Sequence, residues 1–238
     1  MKKTAIALTV AALFTSSLAV ANTKAGDFKG GLEFDSKFSM NNPEHAKKKG
    51  PNGDTAPLRK QDFGAKLFLS YQGVGLSVKH KNTQETETNI NYTYGWEHVW
   101  LKGEAEHVGK TYGNNQQKLG ITIGSHLNGL FDTSLRYRED RDTQGTESTR
   151  SKVNRADLFV GKQLTDNLYL NAKLINFDQQ NSQINSQPGN KKNWNNVEVK
   201  ATFTGFDNFK PYVEYENAFV QKVQRRDDNL KVGVVFPC

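Results

Sequence analysis

Strict alternation of apolar and polar residues recurs in twelve short runs along this chain, and a period of two means a strand with one oily and one wet face. In the first run, 28–40, Phe28, Leu32, Phe34, Phe38 and Met40 share one parity, and Lys29, Glu33, Asp35 and Lys37 the other. Phe63, Ala65, Leu67, Leu69 and Tyr71 then oppose Asp62, Lys66 and Ser70, and Val74, Leu76 and Val78 oppose Ser77 and Lys79. The rule separates Ile90, Tyr92, Tyr94 and Trp96 from Asn89, Asn91 and Thr93, and Val99, Leu101 and Ala105 from Lys102, Glu104 and Glu106. Leu119, Ile121 and Ile123 face away from Lys118 and Thr122, and Phe131, Leu135 and Tyr137 from Asp132, Arg136 and Arg138. Leu158 and Val160 oppose Arg155 and Asp157, and Leu170 and Leu174 oppose Asn171 and Lys173. The last three runs set Val197, Val199 and Phe203 against Glu198 and Lys200, Val213, Tyr215 and Phe219 against Tyr212, Glu214 and Glu216, and Leu230 to Phe236 against Lys231.

These runs follow an export signal. Lys2-Lys3 precedes a stretch, 5–14, that is apolar except for Thr9, and Leu18-Ala19-Val20-Ala21 carries the small-residue cleavage pattern. Residues 1–21 therefore read as a cleaved signal peptide and 22–238 as the mature domain; the apolar stretch falls short of the roughly 20 residues that cross a bilayer as a helix. An exported chain with an even number of alternating strands reads as all-β, a 12-stranded antiparallel transmembrane β-barrel in the outer membrane of a Gram-negative cell. A mean hydropathy of −0.73 agrees with this, because such a barrel is apolar only at every second position and carries polar loops.

The connections give an orientation. Short turns are expected at Gln72-Gly73, near Gly95, and at 126–129, 164–167 and 204–208. The other connections are expected to be long, among them 41–60, 139–152, 178–193 and 221–229, which are polar and rich in Asn, Gln, Lys, Gly or Ser. Short turns belong on the periplasmic side and long loops outside, which puts both termini in the periplasm. Tyr71, Trp96, Phe131, Phe203 and Phe236 then form a periplasmic aromatic girdle, and Phe38, Tyr137, Trp194 and Phe219 an external one. A soluble β-sandwich shares the alternation but has no reason to pair alternating turn lengths with aromatics at strand ends.

Eight strands leave an interior filled by side chains and 16 leave a broad channel, so about a dozen imply a narrow, wet pore. Parity sends Arg136, Arg138, Arg155, Lys173, Lys66, Lys79, Lys102 and Lys118 into it, and these are the candidate solute-binding residues. Arg136, Arg138, Arg155 and Lys173 fall on successive strands as a cationic wall suited to a carboxylate-bearing solute, while acids gather on strands five and eleven. The competing reading is that these cations pair with lumen carboxylates and only stiffen the barrel. Residues 1–21 contain Lys2 and Lys3, so cleavage lowers the net charge from +7 to +5. The basic charge is spread over alternate positions without interleaved base-stacking aromatics, which argues against a nucleic-acid partner. One cysteine, Cys238, excludes an intrachain disulfide, and it reads as an inert tail residue. Five histidines without ligand spacing, and no phosphate or dinucleotide fingerprint, give no reason to expect a metal or cofactor.

The segment Gly129-Leu-Phe-Asp-Thr-Ser-Leu-Arg-Tyr-Arg138 resembles the strand-seven motif of the KdgM-type oligogalacturonate-specific porins, a group that includes sialic acid channels. Lys210-Pro-Tyr-Val-Glu214 and Leu230-Lys-Val-Gly-Val-Val-Phe236 are similar to late strands of that family. The resemblance implies a monomeric channel in outer-membrane lipid that admits small acidic sugars along basic tracks, with Arg136 and Arg138 on the matching motif. It also implies folding by the barrel-assembly machinery, which reads a terminal aromatic; here Phe236 is followed by Pro237-Cys238.

The sequence thus points to a porin, with no enzymatic activity, for passive diffusion of small hydrophilic solutes. One alternative is a surface protein that acts through its long loops, as in adhesion. Another is a barrel enzyme, which needs a His beside a nucleophilic Ser; His98 and His107 are expected on strand five without such a partner, and His80 and His126 at the rims.

Overall fold

A computed structural model describes residues 28–41, 61–111, 113–127, 130–187, 190–221 and 224–238. The signal segment 1–21 and most of the connection 41–60 lie outside the described residues. Twelve strands form one closed antiparallel sheet: β1 (Lys29–Ser39), β2 (Gln61–Tyr71), β3 (Val74–Lys81), β4 (Glu85–Gly95), β5 (Val99–Lys110), β6 (Gln116–Leu127), β7 (Phe131–Asp142), β8 (Lys152–Thr165), β9 (Leu168–Gln179), β10 (Asn193–Phe203), β11 (Lys210–Val220) and β12 (Arg225–Pro237). Each strand pairs with its sequence neighbours, and β1 pairs with β12 to close the cylinder.

Closure runs to the last residue. Cys238 N–H donates to Gly30 O at 2.8 Å and its carbonyl accepts from Gly30 N–H at 3.2 Å, beyond the pairing of Gly31 with Pro237. The cysteine is thus backbone-anchored, not a loose tail, and its thiol is free and exposed. A closed ladder leaves no edge, which is the condition for a sheet to sit in hydrocarbon, where an unpaired N–H or C=O costs several kcal/mol.

Parity holds on every strand. Leu119 is 64% exposed and Ile121, Ile123, Leu135, Leu158 and Leu174 are also exposed, whereas Glu33, Asp35, Arg138 and Asp157 are buried. A surface that exposes its aliphatic residues and buries its carboxylates is inside out for water and correct for a bilayer.

We call the end that holds Phe28 and Cys238 proximal and the other distal. Proximal connections are short, as expected; Gln72 (φ 48°) and Gly73 (φ 84°) both occupy the left-handed region that a two-residue turn between twisted strands requires. A Cβ on Gly73 would strike the Thr93 carbonyl. Distal connections differ from the expectation of uniformly long loops: β3 and β4 are joined by 82–84 and β5 and β6 by 111–115. The alternation continues to the ends of β3 and β4, so their ladder extends to within one turn. Part of the polar stretch 139–152 is likewise strand, because β7 runs on to Asp142.

The proximal girdle contains more rings than parity suggested. Phe206 and Phe209, in the connection before β11, stack at 4.3 Å and link Phe203 (4.9 Å) to Phe236 (6.4 Å), and Tyr94 packs edge-on to Trp96 at 4.8 Å. The distal girdle loses a member. Trp194 shares the inward parity of Asn196 and Glu198, and stacks on inward Phe177 at 5.1 Å across the β9–β10 pair.

Inside, large aromatics lie along the wall over glycines of the neighbouring strand. Phe68 faces Gly31, Trp100 faces Gly124 and Tyr212 faces Gly233 directly in register, and Tyr169 covers Gly161. A Cβ at any of these glycines would collide with the ring. The missing side chain makes the groove in which the aromatic lies, as in aromatic rescue of glycine in designed sheets. Gly124→Val is therefore expected to lift Trp100 off the wall and cost about 1–3 kcal/mol by overpacking. A lowered thermal midpoint in the heat-modifiable gel shift of the folded barrel measures it.

Candidate functional site

The lumen lining is a continuous layer of ion pairs and hydrogen bonds. All eight cations singled out from the sequence point inward, and each has a carboxylate partner. Lys66 lies 3.6 Å from Glu33, Lys79 2.5 Å from Asp35, Lys102 3.4 Å from Glu104, Lys118 2.5 Å from Glu106, and Lys173 2.6 Å from Glu198. Arg136 spans from Asp157 to Glu104, whose Oε1 accepts from Nη1 at 3.2 Å. Arg155 donates Nε and Nη2 to Asp157 at 2.7 and 2.9 Å. Arg138 donates Nη2 to Asp140 at 2.7 Å; its Nε lies 2.6 Å from the other oxygen without the alignment of a hydrogen bond.

The structure brings Arg136, Arg138 and Arg155 into one cluster on β7 and β8, with Lys102 reaching it through Glu104. Arg138 and Arg155 stand directly opposite each other in register. Lys173 is separated from this cluster by its own pair with Glu198. The wall is contiguous, as parity suggested, but it is not purely cationic, because Asp140 and Asp157 are interleaved. Asp140 escaped notice because β7 was expected to end sooner. Lys66 and Lys79 belong to a second cluster on β1 to β3, around Glu33 and Asp35.

Among the described residues, these bonds join strands at most two apart in the sheet. Examples are Lys79 on β3 to Asp35 on β1, Tyr169 Oη on β9 to Asp132 on β7 at 2.7 Å, and Tyr212 Oη on β11 to Glu33 on β1 at 2.6 Å. The contacts run along the wall and not across the bore. Such pairs hold the long side chains sideways, against the sheet.

Aromatics share the inward face with the charged residues, Tyr212 as parity indicates and others beyond it. Lys200 Nζ sits 3.7 Å from the Tyr212 ring centroid, and the Arg155 guanidinium lies 5.3 Å from that of Phe177. Phe177, Trp194 and Arg155 thus form a cation–aromatic stack near the distal mouth. Parity places Tyr212 inward with Glu214 and Glu216, as found; Tyr169 and Phe177 share the parity of the charged residues without an assigned face in the sequence, and Trp194 is expected in the external girdle instead.

Among the described residues, the histidines make no nucleophile–base pair. His80 Nδ1 bonds Thr86 Oγ1 at 2.9 Å and His126 Nδ1 bonds Asp132 at 2.5 Å. His98 precedes β5, and its backbone carbonyl, not its ring, accepts from Ser125.

With the geometry in place, similarity in fold becomes informative. The NanC porin superposes with a TM-score of 0.69 at 14% identity, covering 86% of this chain and 98% of its own. The KdgM porin, solved in complex with disordered oligogalacturonate, gives 0.61 at 14%, covering 87% and 98%. This chain shares their twelve-stranded porin fold. Outer membrane phospholipase A from Escherichia coli also matches, at 0.50 and 12%, covering 87% and 89%. No family model and no curated protein matches the sequence.

Asp157 is the carboxylate shared by two arginines, so Asp157→Asn tests the lining as a structural unit. It is expected to cost about 1–3 kcal/mol, the range for hydrogen bonds to charged groups. Unfolding midpoints in detergent measure it.

Proposed function

We propose that this protein is an outer-membrane channel for passive diffusion of small hydrophilic solutes, with a preference for acidic sugars. The observation that carries this reading is a polar lining whose bonds follow the wall of a closed barrel while its outer surface is apolar. Such a cylinder has lipid on the outside and water on the axis. The likeness in fold to the NanC and KdgM porins supports the same reading, as does the resemblance of 129–138 to the strand-seven motif. The proximal end, with its short turns, is then periplasmic and the distal end external.

The acidic-sugar preference rests on the β7–β8 cluster. Like charges directly opposite on adjacent strands are destabilising, yet Arg138 faces Arg155. Each has one carboxylate within ion-pair distance, Asp140 or Asp157, and Asp157 is also claimed by Arg136. A carboxylate passing this point finds guanidinium groups whose remaining donors are unused and replaces solvent there. Phe177 and Trp194 add flat apolar faces of the kind on which a pyranose ring packs. The protein acts as a pore and not as an enzyme in this reading, works as a single barrel, and has lipid, acidic sugars and the barrel-assembly machinery as partners.

Purified protein in a planar bilayer under a KCl gradient is expected to show open channels with a reversal potential on the anion side. Arg138→Gln with Arg155→Gln should lower the anion-to-cation permeability ratio by roughly fivefold or more, since loss of even one of the two unit charges at close range in water has an effect of that size. Liposome swelling with a galacturonate oligomer should slow in the same variant while swelling with a neutral disaccharide is unchanged. A barrel that does not conduct, or a variant with unaltered selectivity, removes the proposal.

A further inference from the structure

The lipid-facing side of the last three strands changes character toward the distal end. On β10 the outward residues pass from Val199 and Val197 to Asn195 and Asn193, on β11 from Val213 and Tyr215 to Asn217 and Phe219, and on β12 from Val232 and Leu230 to Asp228 and Arg226. Two residues advance a strand by about 7 Å, and the tilt of barrel strands reduces this to about 5 Å along the membrane normal. Arg226 and Phe219, paired in register, therefore lie two steps, about 10 Å, beyond Leu230 and Tyr215, at the level of lipid headgroups.

A pocket of about 380 Å³ opens there, lined by residues that include Lys191, Asn193, Asn195, Phe219 and Arg226. Its lining contains two cations and no carboxylate. Lys191 Nζ stands 4.4 Å from the Phe219 ring centroid. Arg226 is held between two outward amides: Nη2 donates to Asn195 Oδ1, and Nη1 donates to Asn217 Oδ1 at 2.5 Å. Neither cation has a carboxylate within ion-pair distance among the described residues, in contrast to the paired cations of the lumen. Two acids share this face: Asp228 is occupied by Tyr215, Asn217 and Asn41, and Asp178, opposite Asn193 in register, lies 4.0 Å from Lys192. The site is also braced, because Gln221 accepts from Lys191 N–H at 3.1 Å and donates to its carbonyl at 2.6 Å, tying the β9–β10 connection to the β11–β12 connection.

We propose that this pocket binds the phosphate of a lipid headgroup in the leaflet at the distal end. Arg226, pre-aimed by the two asparagines, and Lys191 take the phosphate oxygens, and Phe219 packs against the apolar part next to it. Charge selects the class of ligand: two unpaired cations facing lipid at headgroup depth leave an anionic headgroup as the complementary neighbour. The proposal rests on the membrane-barrel reading but not on the lumen conducting.

Native mass spectrometry of the full barrel, released from detergent after incubation with lipid A, tests it. The wild type is expected to retain one lipid A, and Lys191→Gln with Arg226→Gln to weaken retention about tenfold or more. Lys191→Arg with Arg226→Lys should keep it. Zwitterionic phosphatidylcholine should be retained weakly by all three, and inorganic phosphate at equal concentration should not displace lipid A. Equal retention by wild type and the glutamine variant overturns the proposal, as does displacement by inorganic phosphate, which would mark a soluble-ion site. The heat-modifiable gel shift verifies that each variant is folded. Bilayer conductance of the same samples separates failure of the channel reading, which silences every variant, from failure of the lipid site, which leaves conduction intact.

Discussion

Everything in this structure depends on the ladder between β1 and β12. Without it the sheet has two raw edges, and a sheet with raw edges cannot lie in hydrocarbon because no water is present to satisfy its backbone. The ladder runs from Ser39 opposite Asn229 to Cys238 against Gly30, so it takes in most of β1, the second part of β12 and Cys238. Once the cylinder is closed, the period of two in the sequence acquires a fixed meaning: one parity meets lipid and the other encloses a bore. That assignment explains why so many leucines and isoleucines stand exposed while Glu33, Asp35 and Asp157 are buried.

Closure alone does not make a bore, since a dozen strands could be plugged by their own inward side chains. Two devices keep these side chains against the wall. Glycines at Gly31, Gly124, Gly161 and Gly233 let Phe68, Trp100, Tyr169 and Tyr212 lie flat. Ion pairs that reach across one intervening strand, such as Lys79 to Asp35 and Arg136 to Glu104, hold the long charged chains sideways. Both come together at Tyr212, which covers Gly233, donates to Glu33 and carries Lys200 on its ring. Breaking one partner of such a pair leaves the other charge unmatched, so the lining is held as a network more than as a sum of contacts.

The barrel was legible in the sequence because alternation is local: each strand declares its own two faces without reference to its neighbours. What could not be read is whatever depends on stagger between strands. Arg136 could be placed in the lumen from parity, but its meeting with Glu104, two strands away, follows from the register of β5, β6 and β7 together. Trp194 faces the lumen where its hydrophobicity alone points to lipid, and the neighbouring Asn193 and Asn195 on the outer face carry the parity that decides it. The glycine grooves were silent for a different reason, since glycine has no side chain to contribute to an alternation. The short distal turns at 82–84 and 111–115 were obscured by polar residues that belong to the ends of strands and not to loops.

The proposed anion preference requires a nearly balanced lining to discriminate by charge, and the arginine cluster offers a physical route. Pairing with Asp140, Asp157 and Glu104 lowers the local field, but it does not remove donors: a guanidinium has five N–H groups, and one carboxylate engages two of them at most in a bidentate fork. Arg138, with Asp140 on one side, and Arg155, with Asp157 on its own strand, therefore keep donors free while their carboxylates hold them in place. The carboxylates also prevent mutual repulsion of the facing arginines from splaying them toward the axis. Under the proposed function the acids of the lumen are compatible with anion recognition, because they convert flexible point charges into oriented donors. A wall of unpaired lysines would attract anions from further away, but it would hold them without regard to shape.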